Sequence, residues 1–256
     1  MPVVQLRKCD VPDVDFFEDS DLFQLLWCPF ELDHDYELVC AVFWRKDAEV
    51  VAPRSGHPRL SGVADNQRIK HLIPQSCGIY PERVTEYPDG DEIYELVGVE
   101  EAERIRASIM SVDLGWAADL RERLSELQEQ LADDEPRQEP LTSLSSFYFS
   151  ELSTCRGTKV GGKPPFTGSR GVFEHFLTLS TWEFDWGSFR RWIPLEDQRR
   201  FALAGEPLTE KRLYEVADYF RRLQEPAGLQ IGRTQRLHLF VCRQESPWPI
   251  HAYVYD

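Results

Sequence analysis

Phe23-Gln-Leu-Leu-Trp27-Cys28, followed past an acidic stretch by Tyr36-Glu-Leu-Val-Cys40-Ala-Val-Phe-Trp44, is the part of the chain whose reading sets the fold. Aromatic and β-branched residues crowd into two short runs, which predicts two strands around a charged loop. The plan returns near the other end: Leu237-His-Leu-Phe-Val241-Cys242-Arg243, then Pro247 and Pro249, then Ile250-His-Ala-Tyr-Val-Tyr255. Each unit carries a cysteine near the end of its first strand and a polar loop after it, so a weak internal repeat is expected. A third β-rich unit joins Ser146-Phe-Tyr-Phe-Ser-Glu-Leu152, through a glycine loop, to Phe176-Leu-Thr-Leu-Ser-Thr-Trp-Glu-Phe184. In the latter, Phe176, Thr178, Ser180, Trp182 and Phe184 alternate with Leu177, Leu179, Thr181 and Glu183, which predicts a strand with one well-buried face.

Helical signals lie between the β-rich units. Leu114, Trp116 or Ala117, Leu120, Leu124, Leu127 and Leu131 recur every three or four residues, predicting an amphipathic helix that stops in the proline-containing segment 133–140. A second helix is predicted over Glu210 to Gln224. Thr209 would cap it, Leu208 and Leu213 would form a hydrophobic staple, and Glu225-Pro-Ala-Gly228 would end it. A Pro/Gly-rich stretch, Val51 to Asp91, precedes both. The expected architecture is α+β: mainly antiparallel β, as two related β-rich halves with peripheral helices. It is expected to form one domain over 1–256, divisible into an acidic N-terminal half, 1–140, and a C-terminal half, 141–256.

Composition supports a packed globule. The 256 residues are 42% hydrophobic and 12% aromatic, enough apolar surface to offset chain entropy over most of the sequence. The net charge is −15, which disfavours a general nucleic-acid binder, because phosphate neutralisation needs a basic surface, and also disfavours anionic membranes. The charge is uneven: residues 1–150 hold 14 basic and 31 acidic side chains, residues 151–256 hold 15 and 13. Two acidic clusters, Asp13, Asp15, Glu18, Asp19, Asp21 and Glu31, Asp33, Asp35, Glu37, read either as a solvated face or as a surface for a basic partner. Arg190, Arg191, Arg199 and Arg200 gather in the second part.

Cys9, Cys28, Cys40, Cys77, Cys155 and Cys242 include no CxxC pair, so a zinc ribbon or redox pair is not indicated. The opening residues, Met1 to Phe17, have no apolar signal region, and no window approaches the ~20 apolar residues of a membrane span. Cytoplasmic residence, with free thiols and no membrane partner, is therefore expected.

Gly157-Thr-Lys-Val-Gly-Gly162-Lys163 satisfies the GxxxxGK pattern of a phosphate loop. Pro164 and Pro165 then stand where that loop needs a hydroxyl and the first turn of a helix, so a structural turn is expected instead. Cys155 with His175 is the nearest approach to a nucleophile and base, and Glu174, His175, Glu183 and Asp185 the nearest to a metal cluster. Neither has the spacing that such chemistry shows, so no catalytic residue, metal or cofactor is assigned. Trp182-Glu-Phe-Asp-Trp186-Gly-Ser-Phe-Arg190-Arg191-Trp192 concentrates tryptophan and arginine, which suits either core packing or a binding groove.

Leu152-Ser-Thr-Cys-Arg-Gly157-Thr-Lys-Val-Gly161-Gly162-Lys-Pro164, Phe176 to Asp185, and Leu239-Phe-Val-Cys242 with Trp248-Pro249 together resemble the YwqG-like family. This is a bacterial domain of unknown function, distantly related to the programmed cell death protein two group. The resemblance is clearest over 146–256; Trp27-Cys28-Pro29 and Val42-Phe-Trp44-Arg45 look like a first repeat. It implies a β-rich fold of two related halves. It also implies a chaperone-like holding role, as eukaryotic relatives have toward a ribosomal protein, and some members occur beside toxin systems. Phe166 keeps the family's aromatic after the turn; Thr167-Gly168 replaces its polar position, and the cysteine pair of some members is absent, which leaves a metal knuckle unsupported.

The expected function is that of a cytosolic, non-catalytic binding protein that holds a peptide or basic protein client. Its hypothetical groove comprises Gly161, Gly162, Pro164, Phe166, Trp182, Trp186, Arg190 and Trp192. The alternatives are an immunity-type protein that neutralises a toxin, and a small-ligand-binding protein or hydrolase using Cys155, His175 or Asp185 near the glycine turn.

Overall fold

A computed structural model of the chain describes residues 1–32, 38–51, 69–88, 90–110, 153, 155–164, 172–184, 192 and 218–255. The chain divides into two compact units, both discontinuous in sequence. Unit 1 comprises Met1–Val84, Cys155–Glu183 and Glu225–Asp256; unit 2 comprises Thr85–Thr154 and Phe184–Gln224. The architecture is α+β with mainly antiparallel strands, as the sequence predicts.

Unit 1 holds two antiparallel sheets. The first orders β1 (Pro2–Arg7), β2 (Leu22–Leu32) and β3 (Leu38–Arg45); the second orders β4 (Lys159–Val160), β5 (Phe173–Ser180), β6 (Arg236–Cys242) and β7 (Ile250–Tyr255). The hairpins β2–β3 and β6–β7 are those read from Phe23 to Trp44 and from Leu237 to Tyr255. β1 carries no strong signal in the sequence, and its short Val-Val-Gln-Leu run gains its place by pairing with β2.

Register explains the core. Leu6 faces Phe23, Phe23 faces Trp44, Leu25 faces Val42, and Trp27 faces Cys40. With a period of two, these residues share one face, while Gln5 and Gln24 lie on the other and join their amides at 2.8 Å. In the second sheet Leu177 pairs with Leu239, and Leu179 with Leu237. These leucines join Phe23, Leu25, Trp27 and Phe176 in one buried cluster.

At its centre Phe23 and Phe176 lie 4.9 Å apart, and Trp44 lies 5.2 Å from Phe176 and 5.5 Å from Phe16, in tilted and edge-to-face geometry. The buried Trp27 indole donates to the Leu72 carbonyl at 3.1 Å. Arg243 closes one margin. Its guanidinium stands 4.8 Å from the Trp248 ring and pairs with Glu174 at 2.8 Å and Asp15 at 3.0 Å.

β5 departs from the expected strand. A register shift between His175 and Leu177 turns Phe176 toward the core together with Leu177, and the strand ends at Ser180. The alternation through Trp182 and Phe184 is therefore not realised. Thr181 leaves the ladder because its hydroxyl donates to the Gln235 carbonyl at 2.9 Å and accepts from the Ile231 N–H at 2.9 Å.

In unit 2, α1 spans Gly90–Met110, interrupted by non-helical Gly98 at φ 77°. Residues 218–224 are helical, in agreement with the end of the predicted second helix. Phe220 packs against Phe184 at 5.3 Å, and the Gln224 amide donates to the Phe184 carbonyl at 2.7 Å. The predicted helix over 114–131, the strand over 146–152 and the start of the second helix at Thr209 lie outside the described residues. Among the described residues, no helix is long and apolar enough to cross a membrane.

Candidate functional site

The segment from Gly157 to Pro164 is where the sequence concentrates its most specific pattern, and the structure gives each part of it a job. Gly157 packs directly against the backbone of Glu183: a Cβ there would come within 2.3 Å of the Glu183 carbonyl oxygen. Only glycine permits this approach. Thr158 then fastens the contact, its backbone N–H and its hydroxyl both donating to the Glu183 carboxylate, at 2.8 and 2.6 Å. The Thr158 oxygen also accepts from the Ser180 N–H at 3.2 Å. Burial pushes the Glu183 carboxyl above its ordinary range, and the two bonds from Thr158 pull against that rise.

Lys159 and Val160 pair with Thr178 and Leu177 as β4. Gly161 and Gly162 follow at φ 74° and 68°, the left-handed region where a side chain is disfavoured, so two adjacent glycines make the bend. The Gly161 N–H donates to the Phe176 carbonyl at 2.8 Å, which holds the bend on β5. The GxxxxGK pattern is thus a strand and a bend rather than a strand and a helix. Gly162 and Lys163 are exposed at its tip.

His175 lies beneath this bend. Its Nδ1 is 3.2 Å from the Gly162 carbonyl oxygen, its Nε2 is 2.8 Å from Thr178 Oγ1, and that oxygen is 3.0 Å from Nδ1 of His238. Thr178 and His238 are fully buried. Burial, and after it the Lys159 charge, lowers the His175 pKa to about 4; burial, then His175, Arg236 and Lys159, lowers that of His238 to about 3. Both rings are neutral near pH 7. The sequence marks His175 as a partner for Cys155 and as a member of the Glu174, His175, Glu183 and Asp185 group, and gives no sign of His238, because the link between the two histidines is a cross-strand one, Thr178 opposite His238.

Of the groove residues expected from the sequence, Gly161, Gly162, Pro164 and Trp182 belong to unit 1, and Trp192 belongs to unit 2. Phe166, Trp186 and Arg190, with Asp185 and Arg191, lie outside the described residues. Trp182 adjoins the Thr158–Glu183 clamp; it is 37% exposed, and its indole N–H donates to Glu225 at 2.9 Å, so an aromatic face is held in place at the surface. Cys155 is buried. Cys77 is held near Glu183, whose carboxylate adds to burial in raising the thiol pKa, a direction that weakens a nucleophile. Among the described residues, no group of three or more His, Cys, Asp or Glu is placed to hold a metal ion.

The acidic N-terminal cluster is partly engaged by cations of the same chain. Besides Asp15 with Arg243, Asp13 pairs with Arg83 at 3.4 Å and Asp19 with Lys46 at 3.6 Å, all near solvent. Compared with known proteins, the chain matches no family model, no curated protein and no solved structure.

Proposed function

We propose that the protein is a cytosolic, non-catalytic binding protein that holds a peptide or basic protein client, as eukaryotic relatives of the YwqG-like family that its sequence resembles do toward a ribosomal protein. The observation that carries this reading is Trp182: an exposed indole fixed by the Glu225 hydrogen bond beside the Gly157–Thr158–Glu183 clamp. A rigid aromatic surface contributes contact area at small entropy loss, which is what an interface anchor requires. Glu225 and the acidic face of residues 13–21 supply negative charge for a cationic partner. The alternative of a small-ligand-binding protein or hydrolase draws on Cys155, His175 or Asp185 near the glycine turn; of these, Cys155 is buried and His175 contacts the Gly162 carbonyl and the Thr178 hydroxyl.

Binding of fluorescent Lys/Arg-rich peptides, together with capture of basic proteins from lysate, tests the proposal. Wild type should bind and weaken as salt rises; Trp182→Ala should lose at least tenfold in affinity while keeping its circular dichroism spectrum. Equal binding by wild type and folded Trp182→Ala would sink this reading.

A further inference from the structure

With both rings neutral, the hydrogen bonds that join Gly162, His175, Thr178 and His238 favour one pattern of proton positions. A carbonyl oxygen accepts and cannot donate, so the Gly162 carbonyl requires the hydrogen of neutral His175 to sit on Nδ1. Its Nε2 then carries a lone pair, and the hydroxyl that meets it, Thr178 Oγ1–H, must be the donor. With its single hydrogen used, Thr178 accepts at the next contact, which places the hydrogen of His238 on Nδ1 as well. The reverse order would bring a bare Nδ1 of His175 against the Gly162 carbonyl at 3.2 Å, lone pair against lone pair.

We propose that His175, Thr178 and His238 form a one-way hydrogen-bond chain that couples the geometry of the exposed Gly161–Gly162 bend to the tautomer of the buried His238. The chain runs inward: its first contact is near solvent, its second half-buried, its third buried. It spans β5 and β6 and takes its direction at the bend, where Gly162 and beside it Gly161, both at positive φ, offer backbone contacts to His175, with a further one from Leu177. Turning the Gly162 carbonyl away weakens the restraint on His175, and the hydrogen on each ring can then exchange between nitrogens. Lys159 on β4 and Arg236 on β6 act on these rings as cations, and Tyr253 of β7 lies opposite His238, so the surroundings favour neutral rings in which the tautomer, not the charge, is the variable. The inference stands apart from client binding, since it concerns a state of the free protein.

Long-range 1H–15N correlation spectra of 15N-labelled protein at pH 7 read each ring nitrogen directly. Wild type should show His175 and His238 both protonated on Nδ1. Thr178→Val should keep that pattern at His175 and leave His238 as a mixture of both tautomers, because the acceptor that fixes the hydrogen on Nδ1 is gone; Thr178→Ser should restore it. Gly161→Ala, which strains the bend, should lose it at both. His238 protonated on Nε2 in the wild type overturns the proposal without recourse to any variant. So does a His238 pattern unchanged in folded Thr178→Val, which is what a purely structural threonine would give.

Discussion

Gly157 and Gly162 are both glycines in one loop, and they are there for different reasons. Gly157 is required by what stands next to it, a carbonyl oxygen that a Cβ would meet at 2.3 Å, whereas Gly162 is required by its own backbone, at φ 68°. Backbone cannot step aside as a flexible side chain can. Gly157→Ala should therefore destabilise by about 2–3 kcal/mol and Gly162→Ala by about 1–2 kcal/mol, measured as shifts in the urea midpoint. Equal costs at the two positions would mean that the close contact with Glu183 relaxes freely. The pattern Gly157 to Pro164 was legible as a turn because Pro164 forbids the helix of a phosphate loop. The need for Gly157 was not legible, since its partner lies 26 positions on and becomes a neighbour only through folding.

At the scale of the strand, β5 carries a hydrophobic face and a histidine-bearing face, and the latter makes stability depend on pH. His175 and His238 are both held below the ordinary 6.5, at about 4 and about 3. Between 6.5 and those values the unfolded chain binds more protons than the native one. Stability is thus full above pH 6.5 and is lost as pH falls through the window, at no more than about 1.4 kcal/mol per pH unit for each histidine. Urea midpoints should drop between pH 7.5 and pH 5.5, and His175→Gln should flatten the slope; an unchanged slope in that variant would assign the loss to other groups. The hairpins β2–β3 and β6–β7 were readable from alternation and β-branched content. The end of β5 at Ser180 was not, because the pull on Thr181 comes from Ile231 and Gln235 in a remote turn. That is also why Trp182 leaves the strand and becomes a surface residue.

Across unit 1 the two sheets share one apolar cluster, and Phe176 joins them: fully buried, it touches Phe16, Phe23 and Trp44 from β5. Phe176→Ala should cost about 3–5 kcal/mol, and near- and far-ultraviolet circular dichroism should still fall together along the urea axis. If the N-terminal sheet outlasted the other in that variant, the sheets would be separate folding units. The α+β class was legible from short aromatic strands, but the drawing of unit 1 from three separated stretches was not, since hydrophobic patterning carries no record of which distant strands meet.

That discontinuity has a cost during synthesis. β1, β2 and β3 are complete once Arg45 has left the ribosome, yet Phe176, which packs on Phe23 and Trp44, follows roughly 130 residues later, and Leu237, Leu239 and Val241 of the same cluster roughly 190 residues later. At about 5–20 residues per second this leaves the sheet without Phe176 for about 7–26 s and without the β6 residues for about 10–40 s. A nascent chain in that interval presents a bare aromatic sheet to its surroundings, so the yield of folded protein should depend on elongation speed and on the supply of general chaperones more than its final stability suggests.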